Sequence, residues 1–263
     1  MRQLNWSPIQ ISSLVLVAII LVLTGCSTVP PRSDNEIPAK LTLEQLAPSD
    51  TKHQIDAYDP WEGFNRRVYK FNAKFDQYVF LPIVNGYTFI TPAFVRTGVS
   101  NFYDNLEEIK NFVNSLLQLK GKKAAVTVGR FAVNSTFGVL GFIEAADSLG
   151  LKRQDEDFGQ TLGHYGVGPG RYLVLPIFGP STARDASGLV VDAVVYNLWI
   201  SALVDEMNMD SSDEDRFKLV LAILDAIDER YKAAFRYYGT GSPFEYELVR
   251  MLYLDARRFK VNN

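Results

Sequence analysis

The sequence predicts a mostly α-helical fold, and three observations carry that expectation. Two capping boxes in the C-terminal third, Ser211-x-x-Glu214 and Ser242-Pro243-Phe244-Glu245, each precede apolar residues at helical spacing. A similar start occurs at Asp59-Pro60-Trp61-Glu62, where Asp precedes Pro at the first helical position. No stretch sustains the period-two alternation of a half-buried strand.

In chain order, the N-terminus reads as an export signal. Arg2 precedes an apolar run at residues 14–23 and then Thr24-Gly25-Cys26. A ten-residue run suits a secretory h-region and is too short for a mature spanning helix, which needs roughly 20 residues. Leu23-Thr24-Gly25-Cys26 resembles a bacterial lipobox, which implies that residues 1–25 are a signal peptide and that Cys26 is acylated. Ser27, rather than Asp, at the next position resembles lipoproteins sent on to the outer membrane. Cys26 is the single cysteine, so a disulfide framework within the chain is excluded. Residues 26–56 carry Pro30, Pro31, Pro38 and Pro48 with few large apolar groups and read as a flexible tether.

After Asp59, Phe64, Val68, Phe71 and Phe75 fall on one helical face, and Arg66, Arg67, Lys70 and Lys74 lie opposite. Such a helix either covers a soluble core or lies on an anionic bilayer surface. Pro82 and Pro92 are expected to break the chain. From Asn101 onward, Leu106, Ile109, Phe112, Val113, Leu116, Leu117 and Lys120 keep helical spacing, with Gly121 as the expected stop. Lys120, Lys122, Lys123 and Arg130 form a basic cluster that is either a solvated face or a site for phosphate headgroups or an acidic partner. Residues 189–204 are apolar on nearly every side, which fits a deeply buried or a lipid-facing helix. In the last third, a stripe from Phe217 to Tyr238 ends at Gly239, and a second stripe runs from Phe244 to Phe259. The short junction between them predicts an antiparallel C-terminal helical hairpin.

Residues 157–185 differ from the rest. Glycine at 159, 163, 166, 168, 170 and 179 and proline at 169, 176 and 180 argue against a long regular element, yet the residues between them are apolar. A segment of this kind is expected to line a cavity or an interface where its backbone groups find partners.

Composition excludes several classes of function. A formal net charge of −3 argues against a nucleic-acid footprint. One cysteine and two distant histidines, His53 and His164, do not make a Cys/His zinc site. Asp155, Glu156 and Asp157 lack EF-hand spacing and read as a solvated acidic turn. Gly179-Pro180-Ser181-Thr182-Ala183 approaches a nucleophile elbow but ends in Ala, with no strand pattern before it. Ser181, His164 and Asp185 form a triad only on paper, and Ser181 or Thr182 more simply caps the following helix. The expectation is a non-enzymatic protein with no metal and no cofactor.

Five blocks together resemble the MlaA (VacJ) family of outer-membrane lipoproteins. They are the lipobox; Asp59-Pro60-Trp61-Glu62-Gly63-Phe64-Asn65-Arg66 with Tyr69 and Phe71-Asn72; Val99-Ser100-Asn101-Phe102 with Asn105-Leu106; Arg130-Phe131 with Asn134-Ser135; and Asp157-Phe158-Gly159-Gln160-Thr161-Leu162-Gly163 through Arg184-Asp185. Arg171 stands where members often carry Pro, and Glu144 where Asp is common. The resemblance implies a single helical domain over 57–263, a ring or disc embedded in one membrane leaflet with a central amphipathic channel. It implies a protein held at the periplasmic side of the outer membrane by its lipid anchor. Such a protein removes mislocalised phospholipids from the outer leaflet and passes them to a soluble periplasmic carrier of the MlaC type, which serves an inner-membrane ABC transporter. A trimeric porin is the implied membrane partner. Within the punctuated segment, His164, Tyr165, Arg171 and Tyr172 are expected near the lipid route. A porin-associated structural scaffold and, less favoured, a lipid hydrolase are the alternatives.

Overall fold

The computed structural model of the chain describes residues 58–263. The expected signal peptide, Cys26 and the tether lie outside the described residues. The described part is mostly helical. Helix α1 is Glu62–Phe75 and runs through a π-helical turn, Asp76–Phe80, into α2, Leu81–Ile90. Then follow α3 Ala93–Leu117, α4 Gly121–Thr136, α5 Ala145–Ser148 and α6 Phe158–His164. Strands β1 Tyr172–Leu175 and β2 Gly179–Thr182 come next, followed by α7 Ala183–Asp205, α8 Ser211–Lys232 and α9 Glu245–Asn262.

Several boundaries differ from expectation for identifiable reasons. Asp59 does organise the start of α1, accepting from Trp61 N at 3.1 Å and Asn65 Nδ2 at 2.9 Å, but regular helix begins only at Glu62. Pro82 does not break the chain. The preceding turn widens to the π form, with Leu81 N–H reaching back to the Asp76 carbonyl, and proline is tolerated in the first turn of α2. Pro92 does end a helix and opens α3. Helix α3 stops before Gly121, because Leu119 takes a left-handed conformation (φ 57°) and Lys120 N bonds the Ser115 carbonyl at 2.9 Å; Gly121 starts α4 instead.

The strands form an antiparallel hairpin pairing Tyr172 with Thr182 and Leu175 with Gly179. At its turn Ile177 has φ 70°, unusual for a β-branched residue. Asn72 holds the turn, accepting from Ile177 N at 2.7 Å and donating to the Leu175 carbonyl at 2.9 Å.

The expected C-terminal helical hairpin is not the arrangement found. Helix α8 packs on α3, α2 and α7, whereas α9 packs on α6 and β2. Residues 233–244 leave the helix because their groups are satisfied elsewhere. Tyr237 and Tyr238 stand edge-on to Tyr69 at 4.9 and 5.7 Å, and Glu245 accepts from Tyr69 Oη and Thr240 Oγ1, each at 2.7 Å.

Two apolar clusters hold the layers together. One gathers Tyr69, Tyr172, Val174 and Tyr246 from α1, β1 and α9; the other gathers Tyr103, Leu106, Ile200 and Val204 from α3 and α7. Around them the usual distribution is reversed, since polar and charged residues outnumber apolar ones at the buried positions described. On α1 the buried face is Asn65, Tyr69, Asn72 and Ala73, while Phe64 and Phe71 point outward at 46% and 49% exposure. On α3 the buried face includes Asn105, Glu108, Asn111 and Asn114, continued by buried Gln118 at its C-cap, while Leu116 and Leu117 face out. The predicted apolar stripes exist, but much of their surface lies outside. Exposed apolar surface on this scale marks contact with a partner or a membrane.

Helices α6 and α7 cross where Gly188 meets Gly159. A Cβ at 188 would stand 2.4 Å from Gly159 N and 2.8 Å from its Cα. Gly188→Ala is therefore expected to destabilise the protein by about 1–3 kcal/mol, as overpacked contacts do. Thermal unfolding in detergent checks this, with faster amide exchange in α6 as the local signature; an unchanged Tm would mean that the crossing is not tight.

Candidate functional site

Two adjoining cavities occupy the space between the hairpin and the helices around it. The first, about 410 Å³, has a polar wall built from Glu107 and Lys110 on α3, Asp192 on α7, Asp225 on α8 and Arg257 on α9. The second, about 570 Å³, is walled mainly by Phe75, Phe80, Ile177, Phe235, Leu248 and Leu252. Phe178, Pro180 and Tyr253 line both, so the hairpin is their shared partition. In the apolar cavity the charges of Asp76 and Arg230 are closed on each other, with Arg230 Nη2 at 2.8 Å from Asp76 Oδ2. The pair of cavities can take an amphiphile, polar end on one side of the hairpin and apolar chain on the other.

Arg257 is the centre of the polar wall. It donates to Asp157 at 2.5 and 2.8 Å and to Asp185 at 2.9 and 3.0 Å. Each acceptor also starts a helix. Asp157 caps α6, accepting from Gln160 N at 2.8 Å, and Asp185 N bonds the capping Thr182 hydroxyl at the start of α7. Burial alone would push the Asp157 carboxyl up; the hydrogen bonds and charge of Arg257, with the Gln160 donors, outweigh it and hold it below the usual carboxylate range. Asp192 accepts from Phe158 N at 2.9 Å and Asn114 Nδ2 at 2.8 Å. Asp225 differs from these, since it accepts no hydrogen bond from the described residues. Burial and the neighbouring carboxylates of Glu107 and Glu229 push it up to about 7.

The residues singled out in the sequence fall elsewhere. Tyr172 is 2% exposed, its ring against Tyr246 and Tyr253 at 6.2 and 6.4 Å, so it belongs to the tyrosine core. Arg171 is exposed and stacks over Trp61 at 5.0 Å. His164 and Tyr165 are exposed at the end of α6, in edge contact at 5.2 Å, and Tyr165 Oη reaches the Leu117 carbonyl. None of the four lines either cavity.

The triad is not assembled. Ser181 is buried with its hydroxyl on the Thr182 carbonyl at 3.3 Å, Asp185 is committed to Arg257, and no hydrogen bond joins His164 to either. Ser181 lies within strand β2, where the sequence shows no strand pattern, and that strand runs directly into a helix capped by Thr182. The acidic turn is also not solvated as a unit. Glu156 is buried and meets Lys123 at 2.5 Å and Lys120 at 3.4 Å, while Asp155 pairs with Arg153. Those contacts consume most of the basic cluster, because Arg130 is buried too, bonded to Glu108 at 2.6 Å, Glu144 at 2.7 Å and the Leu151 carbonyl. Arg257 and Asp225 lacked any local signal, since in sequence each is only a charged position in an ordinary amphipathic helix.

Helix α7 is long and apolar enough to cross a membrane by length and composition, and 22% of its apolar window is buried. Leu189, Val190, Val194 and Leu198 face outward. The polar residues that turn inward, Asp185 and Asp192, belong to the cavity wall.

Comparison with known proteins agrees with this architecture. Residues 57–260 match the family described as MlaA lipoprotein. The protein RP093 of Rickettsia prowazekii is 38% identical over 177 residues, covering 67% of this chain and 66% of that one. The intermembrane phospholipid transport system lipoprotein MlaA of Haemophilus influenzae is 40% identical over 155 residues, covering 57% of this chain and 62% of that one. The chain thus spans just under two thirds of the length of these two relatives. A solved structure described as the structural basis for maintenance of bacterial outer membrane lipid asymmetry superposes with a TM-score of 0.59 at 28% identity, covering 78% of this chain and all of that one. On the match over residues 57–260, the chain belongs to the MlaA lipoprotein family.

Proposed function

We propose that this chain removes mislocalised phospholipid from the outer leaflet of the outer membrane and passes it to a soluble periplasmic carrier. The observation that carries this reading is the pair of adjoining cavities, one with a charged wall and one walled mainly by apolar side chains, inside a body whose outer surface is rich in exposed apolar side chains. That arrangement suits a protein sitting in a leaflet and giving an amphiphile a polar-to-apolar path. The name of the Haemophilus relative and the subject of the similar structure point the same way. The reading needs no covalent step, and the uncoupled Ser181, His164 and Asp185 give a hydrolase no support.

In this reading residues 57–263 form the membrane-seated body, Cys26 carries the anchor, and the apolar outer faces meet lipid and a trimeric porin. The carrier, of the MlaC type, serves an inner-membrane ABC transporter. His164, Tyr165 and Arg171, exposed outside both cavities, serve the lipid at its entry or exit rather than in the path. Deleting the gene is expected to raise the phospholipid labelled on intact cells by a membrane-impermeant amine reagent, and restoring the gene to return it to the starting level. Unchanged labelling together with lost or unstable porins would instead make the chain a porin scaffold.

Acylation stabilises membrane residence by about 0.8 kcal/mol per buried CH₂. Cys26→Ser is expected to block processing and to lower the outer-membrane fraction on density-gradient separation. Full recovery of processed protein in that fraction would remove the anchor from the account.

A further inference from the structure

We propose that the polar cavity selects phospholipids whose headgroup carries a primary ammonium, with Asp225 as the residue that receives it. This rests on the lipid-transport reading above and adds the class of lipid.

Most charges in the cavity wall are already satisfied. Its carboxylates are Glu107, Asp157, Asp185, Asp192 and Asp225, and its cations are Lys110 and Arg257. Every nitrogen of the Arg257 guanidinium is bonded to Asp157 or Asp185, and Lys110 lies 3.3 Å from Glu107. Asp157, Asp185 and Asp192 have their own donors. Among the described residues, Asp225 is the one wall carboxylate that accepts no hydrogen bond. Its cationic neighbour Lys232 is engaged by Asp104 at 2.9 Å, Glu229 at 2.6 Å and Asp228 at 3.3 Å.

The cavity therefore presents surplus negative charge, focused where a partner is missing. Every phospholipid brings a negatively charged phosphate, which that field opposes. An ethanolamine headgroup brings an ammonium with it, and a glycerol headgroup does not. The ammonium supplies Asp225 with a charge-assisted hydrogen bond, and the Tyr196 ring in the same wall adds an aromatic face for a cation. The apolar cavity beyond Phe178 and Tyr253 gives the attached acyl chain a place, which separates a lipid from a water-soluble amine.

The test uses the purified full chain in detergent, offered equimolar phosphatidylethanolamine and phosphatidylglycerol with matched acyl chains, the bound lipids then being quantified by mass spectrometry. Wild type is expected to hold the ethanolamine lipid in about five- to tenfold excess, Asp225→Asn to bring the ratio near one, and Asp225→Lys to favour the glycerol lipid. Equal retention by wild type, or a ratio unchanged in both variants, would overturn the selectivity while leaving transport standing. Retention of neither lipid would remove the transport reading itself, and the inference with it. Soluble glycerophosphoethanolamine is expected not to displace the lipid at matched concentration; displacement would make the cavity a site for free amines. Circular dichroism melting of both variants shows that the comparison is between folded proteins.

Discussion

Replacing Arg130 with alanine is expected to lower the stability of the protein by about 3–5 kcal/mol, the usual result of removing one partner from a buried ion pair. Arg130 is 1% exposed and ties three segments together through Glu108, Glu144 and the Leu151 carbonyl. Without it, Glu108, also 1% exposed, keeps no bonded cation among the described residues. In detergent the midpoint of thermal unfolding should drop on the order of 10 °C. The double change Arg130→Met with Glu108→Leu should recover much of the loss, because it removes both buried charges and leaves only Glu144, which already reaches solvent. A single variant as stable as the native protein would show that the pair does not hold α3 and α4 together.

Arg257→Ala should have the next largest effect, about 2–3 kcal/mol, reduced because Asp157 remains partly exposed. The local consequence is more specific. Asp157 and Asp185 stand at the starts of α6 and α7, and without the guanidinium between them their like charges repel across the crossing. Amide exchange should accelerate in α6 before it does so in α4. The pH dependence follows from Asp157. Its folded pKa is depressed, so the stability it contributes is present above its unfolded value of about 3.9 and is lost as pH falls through the folded value. In Arg257→Ala the depression shrinks, and that share of acid sensitivity should weaken. Identical acid-unfolding curves for the two proteins would rule out Arg257 as its source.

Helix positions were legible because capping and periodicity are local. Thr182 does cap α7 and the stripe of Phe64, Val68, Phe71 and Phe75 does lie on one helix, but neither serine box caps: Ser211 already stands in the first turn of α8 behind Asp210, and Ser242 bonds Phe244 N ahead of the start of α9 at Glu245. Which way that stripe faces was not legible. Periodicity reports that a face avoids water, and a core and a surrounding apolar medium satisfy it equally. The β-hairpin was hidden because four-residue strands around Pro176 and Pro180 are too short to show alternation, and the glycine-rich run masked them. The end of α8 at Lys232 is not visible in sequence because Phe235 and Tyr238 keep the helical spacing, while Tyr69, far away in sequence, and Glu245, beyond the turn, draw that segment off the helix. The site was least legible of all. Arg257 meets Asp157 across 100 residues of chain, and Asp225 stands out by what it lacks, which no sequence pattern displays.

The polar face of α3 has a consequence for how the fold finds its alignment. Along one side, Asn105 bonds Ser135, Glu108 bonds Arg130, Asn111 receives Glu156 N, Asn114 bonds Asp192 and Thr161, and Gln118 bonds Glu156. Between greasy helices in a greasy medium, sliding one past another by a turn exchanges equivalent contacts and meets little resistance. A row of unlike donors and acceptors permits no such exchange, because a one-turn slip of about 5.4 Å sets each against the wrong mate. Helix α3 thus works as a key cut for a single lock, and a version recut entirely in leucine would still be helical but would no longer know where to stop.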